Sequence, residues 1–249
     1  MIIIKTDSQI AAMKKAGLVA YETLELAQSM ITDGISTKAV DREIAELIKS
    51  RGGKASFLGY NGYPASACIS LNEEVIHGIP SARKIHNGDL VKIDVGVILD
   101  GFHADTARTI TVGKVSNQAQ ELTDKAKEAF YKGCEKAIVG NYICDIANAV
   151  QSCVEGAGFS VVREWTGHGV GMSLHEDPSV PNYYDNRRGA RLREGMTIAI
   201  EPMINVGACA TVQLDDGWTV VTADRSLSAH YEHTIAITAN GPQILTLPN

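Results

Sequence analysis

The feature that most limits how this chain can fold is a pair of acids in the stretch "LVKIDVGVILDGFHADTARTITV". Asp100-Gly101 separates two runs that alternate apolar residues, the strongest local signal for a hairpin with a two-residue loop. That loop sets Leu99 opposite Phe102 and Asp94 opposite Ala107, and the period of two puts Asp105 on the face of Asp94. Diagonal neighbours of this kind have Cα atoms roughly 7–8 Å apart. Two carboxylates leaning toward one point repel unless a cation lies between them. On the hairpin alone the alternatives are a surface ribbon, or a pairing of Asp94 with Lys92 on the same face.

The 249 residues are 45% hydrophobic and 21% charged, enough to bury a full core, and the net charge of -6 gives no reason to expect nucleic acid or anionic membrane as a partner. Five cysteines, odd in number and without a CxxC pair, argue for reduced thiols, a cytoplasmic setting and no thiolate zinc site. "MIII" stops at Lys5, too short for the core of a signal peptide, and no run reaches membrane-spanning length.

Helical spacing predicts helices over about 8–30, 37–50, 117–139 and 145–157, with Asp7 or Ser8 capping the first and Asn117 with Gln120 forming a capping box on the third. Strands and turns fill 55–113 and most of the remainder. The order of two helices followed by strands therefore occurs twice, over about 8–113 and 117–245. A shift of 106 aligns Gly34 with Gly140, Val40 with Ile146, Ile44 with Val150, Ile48 with Val154 and Gly52 with Gly158. A shift of 107 sets "GDLVKID" on "GMTIAIE" and so Asp94 on Glu201. Glu232 heads "EHTIAIT" as Asp105 heads "TARTITV", which completes a second acid pair. Two pseudo-equivalent α/β halves would bring four carboxylates together. Two divalent cations would balance them, whereas one or none would leave repulsion for folding to carry.

Among the histidines, His168 sits in "GHGVG", where flanking glycines permit unusual dihedrals and close approach. His175 follows in the same segment, and His77 precedes a glycine in "VIHGIP". His233 faces away from the acids, His230 shares the Glu232 face and is expected at the rim, His103 is ambiguous, and His86 is expected in solvent. One imidazole with four carboxylates suits manganese, iron, cobalt or zinc, and two such ions about 3.5–4 Å apart form a hydrolytic centre. The sequence has no GxSxG, HExxH or GxxxxGK[ST], so serine hydrolase, zincin and nucleotide hydrolase chemistry lack support.

Together the segments "GYNGYPASACISLNEEVIHGIP", "GDLVKIDVGVILDGFHADTARTITVG", "TGHGVGMSLHEDP", "IAIEPM" and "DDGWTVVTADRSLSAHYEHTIAIT" resemble the type I methionine aminopeptidases over nearly the whole chain. The resemblance implies an α/β (α+β) pita-bread fold, one catalytic domain over 1–249 with two pseudo-symmetric halves around a dinuclear metal site. It implies that Asp94 chelates one ion, that Asp105 and Glu232 bridge both, and that His168 and Glu201 complete the second. Glu201 would also accept and shuttle the proton of the bridging water, and the hydroxide so formed between the ions would attack the scissile carbonyl. His77 would contact substrate near that bond, and His175 would stabilise the oxyanion. Tyr60, Tyr63, Cys68 and Trp218 would line the pocket for an unbranched thioether. Phe57 and Leu174 stand where some relatives carry cysteine and phenylalanine, which implies a pocket of different volume.

The implied reaction is removal of the initiator methionine before a small second residue, by a bacterial-like, core-only form. Two divalent ions (cobalt, manganese, iron or zinc) would serve as cofactors and the N-termini of nascent polypeptides as partners. A cytoplasmic monomer is expected, acting at the ribosome, with no nucleic acid as substrate and no membrane. Rival readings are a prolidase or aminopeptidase P-like peptidase, and a non-catalytic peptide-binding protein on the same fold.

Overall fold

The computed structural model describes residues 1–248. Four helices, α1 (Asp7–Met30), α2 (Thr37–Ser50), α3 (Asn117–Cys134) and α4 (Ile143–Glu155), pack on a curled nine-stranded sheet. Seven strands follow in spatial order: Lys54–Ala55, Leu90–Leu99, Phe102–Thr111, Glu232–Thr238, Thr197–Ile200, Gly167–Gly169 and Glu176–Val180. Cys68–Leu71 adds to the 90–99 strand and Gly241–Ile244 to the 232–238 strand. All of these pairings are antiparallel. Two three-stranded sheets accompany the main one.

Strand periodicity sorts the side chains. Ile93, Val95 and Val97 pack with Ala20 and Leu24 of α1 and Val40, Ile44 and Ile48 of α2. Ile198, Ile200, Ile235 and Ile237 pack with Leu122, Ala126 and Phe130 of α3 and Ile146, Val150 and Val154 of α4. The helices thus cover one face of the sheet, and the alternate positions, among them Asp94 and Glu232, point to the other.

Helix ends depart from expectation in instructive ways. The first helix is capped by Thr6, not Asp7 or Ser8. The Thr6 hydroxyl accepts from Gln9 N–H, and Gln9 Oε1 accepts in return from Thr6 N–H. Ser116, not Asn117, caps α3, and its hydroxyl accepts from Ala119 N–H. That helix ends at Cys134 instead of near 139, because Lys136 and Ala137 donate to carbonyls three residues back and tighten the chain into turns. The fourth helix begins at Ile143, two residues early. Asp145 supplies its first-turn acid and accepts from Tyr142 N–H at 2.7 Å.

One buried ion pair ties the chain's start to the segment that carries His175. Lys5 Nζ lies 2.5 Å from Glu176 Oε2, with side chains 3% and 5% exposed. Glu176 Oε1 also accepts from Ser173 N–H. Removing one partner of such a pair leaves an uncompensated buried charge, typically about 3–5 kcal/mol, whereas removing both charges is far cheaper. Lys5→Met should therefore destabilise the protein by about 3–5 kcal/mol in urea melts, and adding Glu176→Gln should restore most of that. Equal instability of the single and double variants would show that packing, not charge, dominates there.

Candidate metal centre and active site

Five adjacent strands bring one side chain each to the site. Asp94 comes from 90–99, Asp105 from 102–111, Glu232 from 232–238, Glu201 from just past Thr197–Ile200, and His168 from 167–169. The hairpin has the register expected from the loop: Leu99 pairs with Phe102 and Asp94 with Ala107. Ala107 also pairs with Glu232 on its other side. Asp94 and Glu232 therefore flank one methyl group, with Asp105 two residues along the central strand. His233 pairs with Ile200, which sets Glu232 beside Glu201.

The glycines around His168 answer to close approach. A Cβ at 167 would lie 2.4 Å from Ala199 O, and one at 169 would lie 2.2 Å from Asp177 O. Only bare backbone lets this short strand sit between its neighbours and present the imidazole. His168 Nδ1 is 2.9 Å from Gly169 O. A carbonyl only accepts, so Nδ1 carries the proton and the Nε2 lone pair faces the acids. That atom lies 3.5 Å from Glu201 Oε1 and 3.9 Å from Asp105 Oδ2. Ligand atoms of Asp105, His168 and Glu232 all fall within 4.8 Å of one another.

The electrostatics are those of a crowded anionic site. Burial first, then the charges of Asp105 and Glu201, push the Asp94 carboxyl well above its usual range. Glu201 is raised by burial and then by Asp105, and Glu232 by burial and then by Asp105, Glu201 and Asp94. Burial takes Asp105 up to about 7. Asp94 and Asp105 thus stand as neighbouring acids whose ionised forms disfavour each other. Asp94 Oδ1, Asp105 Oδ1 and Glu232 Oε1 are sealed from solvent with no protein partner among the described residues. Orphaned carboxylate oxygens around a pre-oriented imidazole are a donor set that fits divalent cations.

Lys92 does not neutralise Asp94. Its buried ammonium instead donates to Asn72 O at 2.7 Å and Ser228 O at 3.1 Å. Burial, only partly offset by Glu74 and Glu73, lowers it to about 7. His233 is structural. It is buried, with Nδ1 near Thr106 and Thr246 hydroxyls and Nε2 near Tyr231 OH. His103 meets Ser56 Oγ at 2.8 Å, and His86 is exposed beside Asp33. His230 is not at the rim: it is 1% exposed and lies against Glu201 and Glu232.

A cavity of about 430 Å³ opens onto the acids. Phe57, Tyr60, Tyr63, Cys68, Leu174 and Trp218 form its apolar part, and His77 and His175 also line it. Cys68 pairs directly with Asp94 across neighbouring strands. Burial raises its thiol well above the usual range, so it lines the cavity as a neutral group. Tyr63 OH donates to Gly78 O at 3.0 Å, just beyond His77. His77 adopts φ 60°, a costly backbone for a side chain that bears a Cβ. Burial first and then His175 lower it to about 4. His175 Nδ1 lies 2.7 Å from Tyr60 OH, its ring 4.1 Å from that of His168. Sequence reasoning missed Trp165, whose ring meets His77 edge-on at 5.1 Å. Its place three residues before His168 was the only signal.

Residues 11–239 match the model of metallopeptidase family M24, and the chain belongs to that family. Within it the similarity runs to methionine aminopeptidases. The chain is 52% identical over 247 residues to the methionine aminopeptidase of Clostridium perfringens, an alignment that covers 99% of each. The crystal structure of methionine aminopeptidase from Rickettsia prowazekii superposes with a TM-score of 0.97 at 42% identity, over 99% of this chain and 100% of that one. Prolidase from Pyrococcus furiosus is more distant, with a TM-score of 0.81 at 27% identity, and this chain spans 66% of its length. The fold is the pita-bread fold, and the chain is a metallopeptidase that depends on divalent metal. No helix among the described residues is long and apolar enough to cross a membrane.

A carboxyl whose folded pKa is raised contributes stability below its unfolded value and loses it as pH rises through the folded value. For Asp105 that window runs from about 4 in the unfolded chain to about 7 in the fold. In metal-stripped protein, urea melts should show Asp105→Asn gaining on the natural chain as pH rises through that window. A gap independent of pH would contradict the assigned electrostatics.

Proposed function

We propose that the chain removes the N-terminal methionine from polypeptides whose second residue is small, with residues 1–249 acting as one catalytic unit. The observation that supports this best is the convergence of five metal-type side chains at the floor of an aromatic-lined cavity. Asp94, Asp105, His168, Glu201 and Glu232 would hold the divalent ions, and four carboxylates call for two. Manganese, iron, cobalt and zinc all suit this donor set. When bound, such ions polarise a carbonyl and bring the pKa of water near 7.

The remaining chemistry falls to the chain's own groups. Glu201, whose carboxyl is raised by burial and by Asp105, is the group suited to take a proton and return it to the leaving amine. Partial burial lowers the pKa of His175, which favours a neutral ring. With Tyr60 OH donating to Nδ1, the Nε2–H is free to donate to the oxyanion that develops on the scissile carbonyl. His77, braced by Trp165 and by the Tyr63 strut, contacts substrate beside that bond. Phe57, Tyr60, Tyr63, Cys68, Leu174 and Trp218 enclose the methionine side chain, where sulfur meets ring edges and a branched side chain would not fit. The second residue must fit beside His77 and the ions, which favours small side chains there. Substrates of this kind are the N-termini of nascent chains in the cytoplasm.

The test compares Met-Ala-Ser with Met-Lys-Ser, each with and without a chelator. Met-Ala-Ser should be cleaved after methionine, Met-Lys-Ser hardly at all, and the chelator should abolish turnover. Equal rates on both peptides, or turnover indifferent to the chelator, would overturn the reading.

A further inference from the structure

His230 lies within the site, yet the five-residue set leaves it no role. Its backbone is clamped. The N–H donates to Thr109 Oγ1 at 2.8 Å, Thr109 Oγ1 lies 2.8 Å from its carbonyl, and it pairs with Met203 on the other side. The ring is thereby directed at the acids. Nε2 lies 3.7 Å from Glu201 Oε2 and 3.9 Å from Glu232 Oε2. Neither ring nitrogen has a hydrogen-bond partner among the described residues. A buried polar group left in that state is costly, so its partner is to be sought in the functional state.

The comparison with His168 decides what kind of partner. A histidine that binds metal donates its second ring N–H to an acceptor, as His168 does through Nδ1 to Gly169 O. His230 has no acceptor at Nδ1. Ligation through Nε2 would bury an N–H with nothing to receive it, a state rarer than an unfilled lone pair. The opposite tautomer directs the ring's single N–H at two carboxylates. The remaining gap to Glu201 exceeds a hydrogen bond by about half an ångström. Closing it yields a charge-assisted bond.

We propose that His230 is a positioning residue of the metal centre: a neutral imidazole protonated on Nε2 that holds Oε2 of Glu201, with Oε2 of Glu232 beside it. Oε1 of Glu201 is then left facing His168, where an ion would be shared. The inference rests on the five-residue reading of the centre.

Two measurements on the intact chain test it. In zinc-loaded protein with ¹⁵N-labelled histidine, long-range proton–nitrogen spectra should show His168 protonated on Nδ1 and His230 on Nε2. Calorimetric titration with manganese should then show His230→Leu binding about 10–100-fold more weakly, the usual cost of losing a partner behind a metal ligand. His230→Gln, whose amide can donate in the same direction, should bind within a few-fold of the natural chain. A His230 proton on Nδ1 would make the residue a ligand and overturn the proposal. So would unchanged affinity in His230→Leu, and so would equal weakening of both variants, which would leave only packing. If the natural chain takes up neither ion, the metal centre itself is refuted, a failure visible before any variant is made.

Discussion

The mutual repulsion of four carboxylates in a water-poor site is the constraint on which the rest of the structure depends. Each of Asp94, Asp105, Glu201 and Glu232 is raised by burial, and each except Asp105 is raised further by a named acid beside it. The buried ammonium of Lys92, two residues from Asp94, is turned to two carbonyls instead. Repulsion of this kind opposes folding, so the scaffold must supply the opposing energy. The scaffold is a sheet whose helix-facing side is mostly apolar, broken by the buried Thr106–His233 pair and packed by two helix pairs. Its other face can then carry charge that no isolated hairpin could hold.

The same division explains what the sequence made legible. A strand period of two places Asp94 and Asp105 on one face whatever lies beyond, and Asp100-Gly101 sets the register. Helix cores such as Val40, Ile44 and Ile48 were equally plain. The candidate acids stand out because carboxylates inside apolar strands have few bland explanations. The functional roles of the residues came from a different source, the resemblance of whole segments to known enzymes.

What the sequence hid depends on tertiary detail. Thr6 and Ser116 outrank Asp7 and Asn117 as caps because the backbone turns helical one residue sooner than composition suggests. Trp165 is far from His77 in the chain, and only the fold brings their rings together. His230 shares a face with Glu232, but its depth is set by the strand at 203–205 pairing with it, which no local pattern reveals. The buried pair of Lys5 and Glu176 likewise joins positions 171 residues apart. The last three are non-local contacts: they set Trp165 against His77, the depth of His230, and the anchor beside His175.

Metal binding and folding should therefore be linked, since the ions supply the positive charge that the acids lack. The most direct measurement is scanning calorimetry of chelator-treated protein over a series of manganese concentrations, with bound metal assayed in parallel. Two ions per chain are predicted. Each site at a hundredfold excess over its Kd should contribute about 2.7 kcal/mol, or roughly 5–10 °C in Tm for a chain of this size. A Tm independent of manganese, with no ion retained, would contradict the account.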